Sequence, residues 1–171
     1  MDKAVRLVRS GQSLAERQAF MAAVTPFLAR DETANNQVLS ILFQLARGRM
    51  ARAAVELLQL VAAGSDAGQQ ETLSVLVRTA PYNVVIPTGG PFAYREVLLA
   101  DLLARGVDVP GFTGLAHEAA QAADWWAERT GKTAKVVTRL GIYRLTEVSD
   151  RTRARGGMQL ATADDRDMVI E

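Results

Sequence analysis

Apolar positions recur along the 171-residue chain with two periods, and the switches between them predict its elements. From Ala4 to Val8 the period is two, with Val5 and Leu7 on one face and Arg6 on the other, as in a short strand. Ser13 and Glu16 then have capping-box spacing, which satisfies free amides at a helix start. Leu14, Met21, Val24 and Leu28 carry that helix to Arg30, with Pro26 kinking or shortening its last turn. Asp31 or Thr33 can cap a second helix, whose Val38, Ile41, Leu42 and Leu45 form an i, i+3, i+4, i+7 stripe ending at Gly48. Ala54 to Ala62 is apolar enough for either element. It reads as a strand because turn-formers Gly64, Ser65, Asp66 and Gly68 follow, and Thr72 to Arg78 is β-branched and alternating. Ala80-Pro81 breaks that run, and Asn83 to Ile86 gives a third before Pro87, so an antiparallel meander is expected.

Thr88-Gly89-Gly90-Pro91 comes next, with Pro91 suited to the first helical position. A helix is predicted from Phe92 to Arg105, nearly encircled by Val97, Leu98, Ala100, Leu102 and Leu103 and stopped by Gly106. Val107 to Val109 reads as a short strand. Thr113 or Gly114 opens another helix, which Gly131 ends, and Lys135 to Val148 has a strand pattern with Gly141 as a bulge or bend. The pattern fails from Ser149 to Gly157, where Arg151, Arg153 and Arg155 read as a solvated linker. Met158 to Ala161 then looks like a new strand. Thr162 and Asp165 have the spacing of a helix start, and Asp167 to Ile170 begins an amphipathic helix. The expected organisation is one domain over residues 1–148, a basic linker over 149–157, and the start of a second unit over 158–171.

Composition narrows the chemistry. Lys and Arg number 20 against 19 Asp and Glu, so the net charge of +1 gives no electrostatic case for nucleic acid or an anionic membrane. The chain has no Cys and one His, which excludes disulfides and thiol catalysis and removes the usual ligands of a zinc site, so no metal is expected. Zero Cys fits a reducing cytoplasmic setting. Asp2, Lys3, Arg6 and Arg9 interrupt any secretory h-region. The long charge-free stretch from Thr79 to Tyr94 holds three prolines and two glycines, so it cannot be a spanning helix. A soluble domain is expected.

The order strand, helix, helix, three strands, helix, strand, helix, strand resembles the GNAT fold of acyl-CoA-dependent N-acetyltransferases. That resemblance implies an α/β (α+β) architecture with a mixed, mostly antiparallel central sheet flanked by helices. The tail sharpens it. Arg139-Leu-Gly-Ile-Tyr143-Arg-Leu145-Thr-Glu-Val148, the basic linker, then Gly157-Met-Gln-Leu160-Ala161-Thr-Ala-Asp164-Asp165 is similar to the junction of bacterial tandem-type GNAT proteins, whose second half opens with a phrase like L-R-x-A-T-x-x-D. Pro110-Gly111-Phe-Thr-Gly114 through Trp126 and Thr130-Gly131 looks like the N-terminal half of that group. The resemblance implies an N-terminal lobe whose C-terminal lobe is the missing partner.

GNAT enzymes hold the pyrophosphate of acetyl-CoA on backbone amides of a Q/R-x-x-G-x-G/A loop opening a helix. The equivalent place here is Pro87 to Phe92, so the resemblance puts a cofactor site at Thr88, Gly89 and Gly90. The motif is degenerate: Pro87 replaces Gln or Arg, Phe92 replaces the second small residue, and Pro91 removes an amide. The competing account, a plain strand-to-helix turn, is the one this degeneracy favours. The family's Tyr general acid is also missing, because the corresponding helix offers Trp125 and Trp126, and indole donates no proton in catalysis. Those two rings read as packing at a helix end, one buried and the other partly exposed or at a lobe interface. Glu56 and Glu71, the candidate bases, stand at strand beginnings with no partner acid evident in the sequence. His117 reads as a helix-surface residue beside Glu118, and Arg47, Arg49 and Arg52 as helix-end charge. No P-loop, G-x-S-x-G or H-E-x-x-H occurs.

The implied activity is therefore acetyl transfer from acetyl-CoA to a small-molecule or peptide amine, with this lobe degenerate, supporting and inactive alone. The rival is a non-catalytic GNAT-like module that binds a ligand or a protein through the turn at Thr88 to Pro91. Apolar surface left without its partner lobe predicts self-association into a homo-oligomer.

Overall fold

A computed structural model describes residues 4–50, 54–63, 70–147, 156–157 and 160–165. Five strands form one sheet in the order β1-β2-β3-β4-β5, with β1 Val5–Ser10, β2 Val55–Ala62, β3 Thr72–Thr79, β4 Val84–Ile86 and β5 Phe112–Gly114. The first four are antiparallel neighbours, and β4 and β5 are parallel. Four α-helices cover the sheet: α1 Leu14–Leu28, α2 Asn36–Ala46, α3 Phe92–Ala104 and α4 Ala116–Thr130. The fold is α+β, with a mostly antiparallel sheet. No helix among the described residues is long and apolar enough to cross a membrane.

Burial follows the alternation of the strands. Leu57, Val75, Val77 and Val85 meet Phe20, Val24, Leu28, Val38, Leu42 and Leu45 of α1 and α2 on one face. Leu58, Leu60, Leu76, Val84 and Ile86 meet Leu98, Leu99, Leu102, Ala122, Trp125 and Trp126 of α3 and α4 on the other. Every residue of β3 is buried, as the middle strand of a three-layer arrangement requires. One bulge matters below. Leu60 pairs with Ser74 and Val61 with Thr72, which leaves Leu73 as the extra residue of β3.

Local signals explain most boundaries. The Glu16 amide donates to Ser13 Oγ at 3.1 Å, and the Glu16 carboxylate accepts from the amides of Gly11 and Gln12, so the cap predicted from Ser13 and Glu16 forms. α1 continues two residues past Pro26 and tightens into a 3-10 turn, Ala29–Asp31. Gly106 and Gly131 follow α3 and α4 with φ of 63° and 70°, the left-handed conformation in which glycine lacks the Cβ penalty.

Several expectations need correction. Asn35, not Asp31 or Thr33, precedes α2, while Asp31 accepts from the Ala34 amide one turn earlier. Pro91 is the N-cap of α3, with extended ψ of 150°, and not its first helical residue. The short strand is at Phe112–Gly114, not at Val107 to Val109, and α4 starts at Ala116, not at 113 or 114. Pairing decides this: β4 selects the segment that lies beside it, whatever its local propensity. The strand expected from Lys135 to Val148 does not form over the described residues 135–147, which are exposed, without regular secondary structure and without a ladder partner. Residues 148–155, 158–159 and 166–171 lie outside the described residues, and with them most of the linker and of the second unit. At 160–165 the Asp165 carboxylate accepts from the Thr162 amide and hydroxyl ahead of a 3-10 turn, Ala163–Asp165.

Candidate functional site

Parallel β4 and β5 each feed a helix, so their carboxyl ends and the N-termini of α3 and α4 converge on one rim of the sheet. In open α/β sheets that rim is where ligands bind. Thr88, Gly89 and Gly90 lie on it, between Ile86 and Pro91. The site's chemistry therefore turns on what these three residues offer outward.

Their polar groups are largely engaged within the protein. The Thr88 amide donates to Asn35 Oδ1 at 2.8 Å, and Asn35 Nδ2 donates to Leu28 O at 3.0 Å and Thr88 O at 3.4 Å. Asn35 is 1% exposed, so it pins the turn to the end of α1. Arg95, one turn into α3, reaches back and donates through Nη2 to the carbonyls of Gly89 at 3.3 Å and Gly90 at 3.2 Å. The same guanidinium forms a two-pronged ion pair with Glu118, Nη2 to Oε1 at 2.7 Å and Nη1 to Oε2. Thr88 Oγ1 donates to Glu118 Oε1 at 3.2 Å. Arg95 and Glu118 are both buried.

The pair is well placed electrostatically. Glu118 sits in the first turn of α4, where the helix dipole favours negative charge, and a bidentate guanidinium is the strongest partner a carboxylate finds in a protein. Arg95 Nε is buried with no hydrogen-bond partner, which adds a desolvation cost. Together the two side chains bridge α3 to α4 across the mouth between β4 and β5. β4 and β5 are themselves tight there, since a Cβ on Gly114 would stand 2.5 Å from Ile86 O.

Packing accounts for both glycines of the turn. Gly89 has φ of 124°, and a Cβ on it would meet the Phe27 ring at 2.8 Å. Gly90 has φ of 75°, and its Cβ would stand 2.6 Å from the carbonyl oxygen of Leu73, the bulged residue of β3. A pyrophosphate cradle needs several amides turned outward together. Here Thr88 has given its amide to Asn35 and Pro91 has none, while Gly90 is exposed. Thr88 and Pro91 therefore offer no amide to a pyrophosphate.

The other candidates are structural. Trp125 and Trp126 are both buried, at 7% and 6% exposure, so neither ring is the partly exposed or interface-facing one expected. Trp126 packs edge-on against Phe112 and Arg129 covers Trp125 at 4.0 Å, so the pair seals α4 onto β5. Glu56 is paired with Arg105 at 2.7 Å in a surface network that also holds Asp101 and Arg9. Glu71 precedes β3, and its carbonyl accepts from the Ala62 amide. His117 is exposed, 3.4 Å from Glu118. Arg47 stacks on Phe43 at 3.9 Å, and Arg49 Nη1 donates to Gln44 at 3.4 Å; Arg52 lies outside the described residues. No group of three or more His, Asp or Glu among the described residues could hold a metal ion. A shallow groove of about 490 Å³ runs between α1 and α2, past Met21, Pro26, Phe43 and Arg47, and none of the turn residues lines it.

Arg95, Glu118 and Asn35 are the residues that sequence reasoning missed. One signal was present: Arg95 interrupts a helix whose apolar residues nearly encircle it, so its side chain had to find a buried partner. Searches against protein-family models, curated proteins and solved structures find no match to the chain.

Proposed function

We propose that this chain is a supporting, non-catalytic lobe of a GNAT-type N-acetyltransferase, one that shapes or stabilises a second, acetyl-CoA-binding lobe. The mixed sheet, with its parallel β4–β5 pair and a helix after each of these strands, supports the fold half of this reading. The observation that supports the functional half is the turn itself, where Asn35 takes the Thr88 amide and Pro91 has none, at the place the resemblance gives to a pyrophosphate. The absence of Tyr from α4 agrees with a lobe that performs no proton transfer to a leaving thiolate. The rival reading, a module that binds a ligand through the turn at Thr88 to Pro91, draws no support from a turn held in this way.

The test follows release of CoA thiol from acetyl-CoA in the presence of a panel of amines. The 171-residue chain alone should release none above background. The same chain joined to the polypeptide encoded after codon 171 should be active, and should lose activity when the turn residues of the second lobe, not Gly89 and Gly90, are altered. Turnover by the isolated chain, or a stop codon at position 172, refutes the proposal.

A further inference from the structure

Residues 131–147 are all exposed, although the run from Val136 to Leu145 is as apolar as a core strand. Val137 is 83%, Leu140 85% and Tyr143 93% exposed, whereas large apolar groups exposed elsewhere on the body are scattered singly. The run alternates as a strand does. As a strand it would place Val136, Thr138, Leu140 and Ile142 on one face and Lys135, Val137, Arg139 and Tyr143 on the other. What the segment lacks is a sheet edge.

The sheet has two edges, and they differ. β1 carries Arg6 and Arg9, a charged edge of the kind that discourages further pairing. β5 is Phe-Thr-Gly, without charge. The Val84 amide donates to Gly111 O, so in a parallel ladder Thr113 faces β4 while the N–H and C=O of Phe112 and Gly114 point outward. One chain thus holds both an open edge and a strand without an edge, and the two do not meet within it.

We propose that residues 135–145 of one copy add as a sixth strand to the outer edge of β5 in a second copy, and that the exchange is reciprocal. Two copies related by a twofold axis cover both β5 edges and place both free strands, so the reciprocal exchange closes at a dimer. The absence of Cys from the chain makes disulfide trapping specific. Neighbouring strands bring facing Cα atoms to about 5 Å, within disulfide reach. Thr113→Cys protein should therefore be mixed with separately purified Thr138→Cys, Leu140→Cys or Ile142→Cys protein under mild oxidation.

Light scattering of the unaltered chain at about 10 to 100 µM should give twice the 18.5 kDa chain mass. At least one of the mixed pairs should form a disulfide between copies. The double variant Leu140→Lys/Ile142→Lys should be a monomer with the circular dichroism and thermal midpoint of the body retained. A monomer mass for the unaltered chain overturns the proposal. So does a disulfide that forms only within a doubly substituted single chain, or a Lys variant that remains dimeric.

Discussion

Replacing Glu118 by Leu leaves the Arg95 cation buried without its counter-charge. Breaking a buried ion pair from one side costs about 3–5 kcal/mol, because the surviving charge has lost both water and partner. Arg95 keeps the Gly89 and Gly90 carbonyls as neutral acceptors, so the lower end, about 3 kcal/mol, applies. Arg95→Met should cost a similar amount, since Glu118 keeps only Thr88, exposed His117 and the start of α4. The double variant is different. An apolar pair of like volume needs no desolvation of charge, and the groups then orphaned lie on a turn that is only half-buried, so its loss should be about 1–2 kcal/mol. The cycle predicts a coupling of about 4–5 kcal/mol. Urea unfolding followed by tryptophan emission measures it, because the chain's two tryptophans are buried beside α4's contact with β5. Each single variant should also lower the thermal midpoint by about 6–12 °C. Single losses below about 1 kcal/mol, or a double loss equal to their sum, refute the claim that this pair locks the rim.

Gly90→Ala should cost about 2–4 kcal/mol, the left-handed strain plus a clash with Leu73 O; Gly131→Ala, at nearly the same φ with nothing within 4 Å, should cost only about 1 kcal/mol. Equal losses in the two variants would refute the close approach of Gly90 to Leu73. Asp101 is held below the usual carboxylate range by hydrogen bonding from Arg9, against a desolvation cost, with Arg105 adding to the effect. A lowered folded pKa means stability present above about pH 4 and lost as the pH falls through the lowered value. Asp101→Asn should therefore destabilise by about 1 kcal/mol at pH 7, a small sum because Arg9 and Arg105 are partly exposed, and the deficit should vanish near pH 2 in acid titrations. A deficit independent of pH would contradict this.

What was legible in the sequence was whatever is decided locally. The Ser13 and Glu16 cap, the stripe at Val38, Leu42 and Leu45, the Ala80-Pro81 break and the glycines closing α3 and α4 all act within a turn or two of their own residues. β5 was not legible, because Phe-Thr-Gly has little intrinsic preference and is a strand only by lying beside β4, while β-branched Val107 and Val109 find no ladder. The run from Lys135 to Glu147 shows the converse: its alternation is that of a strand, but a strand needs an edge. The rim followed the same logic. Thr88, Gly89 and Gly90 were singled out through the resemblance, but Arg95 and Glu118 are 23 residues apart on different helices, and only the packing of α3 against α4 joins them.

The central claim is that the turn at 88–90 is held by the protein's own side chains and takes no acetyl-CoA. Calorimetric titration of acetyl-CoA into the 171-residue chain tests it directly. The account predicts no saturable heat up to about 1 mM ligand, a bound on affinity of about −4 kcal/mol. Saturable one-to-one binding below about 100 µM, abolished by Gly90→Ala under conditions where that variant is folded, would contradict it.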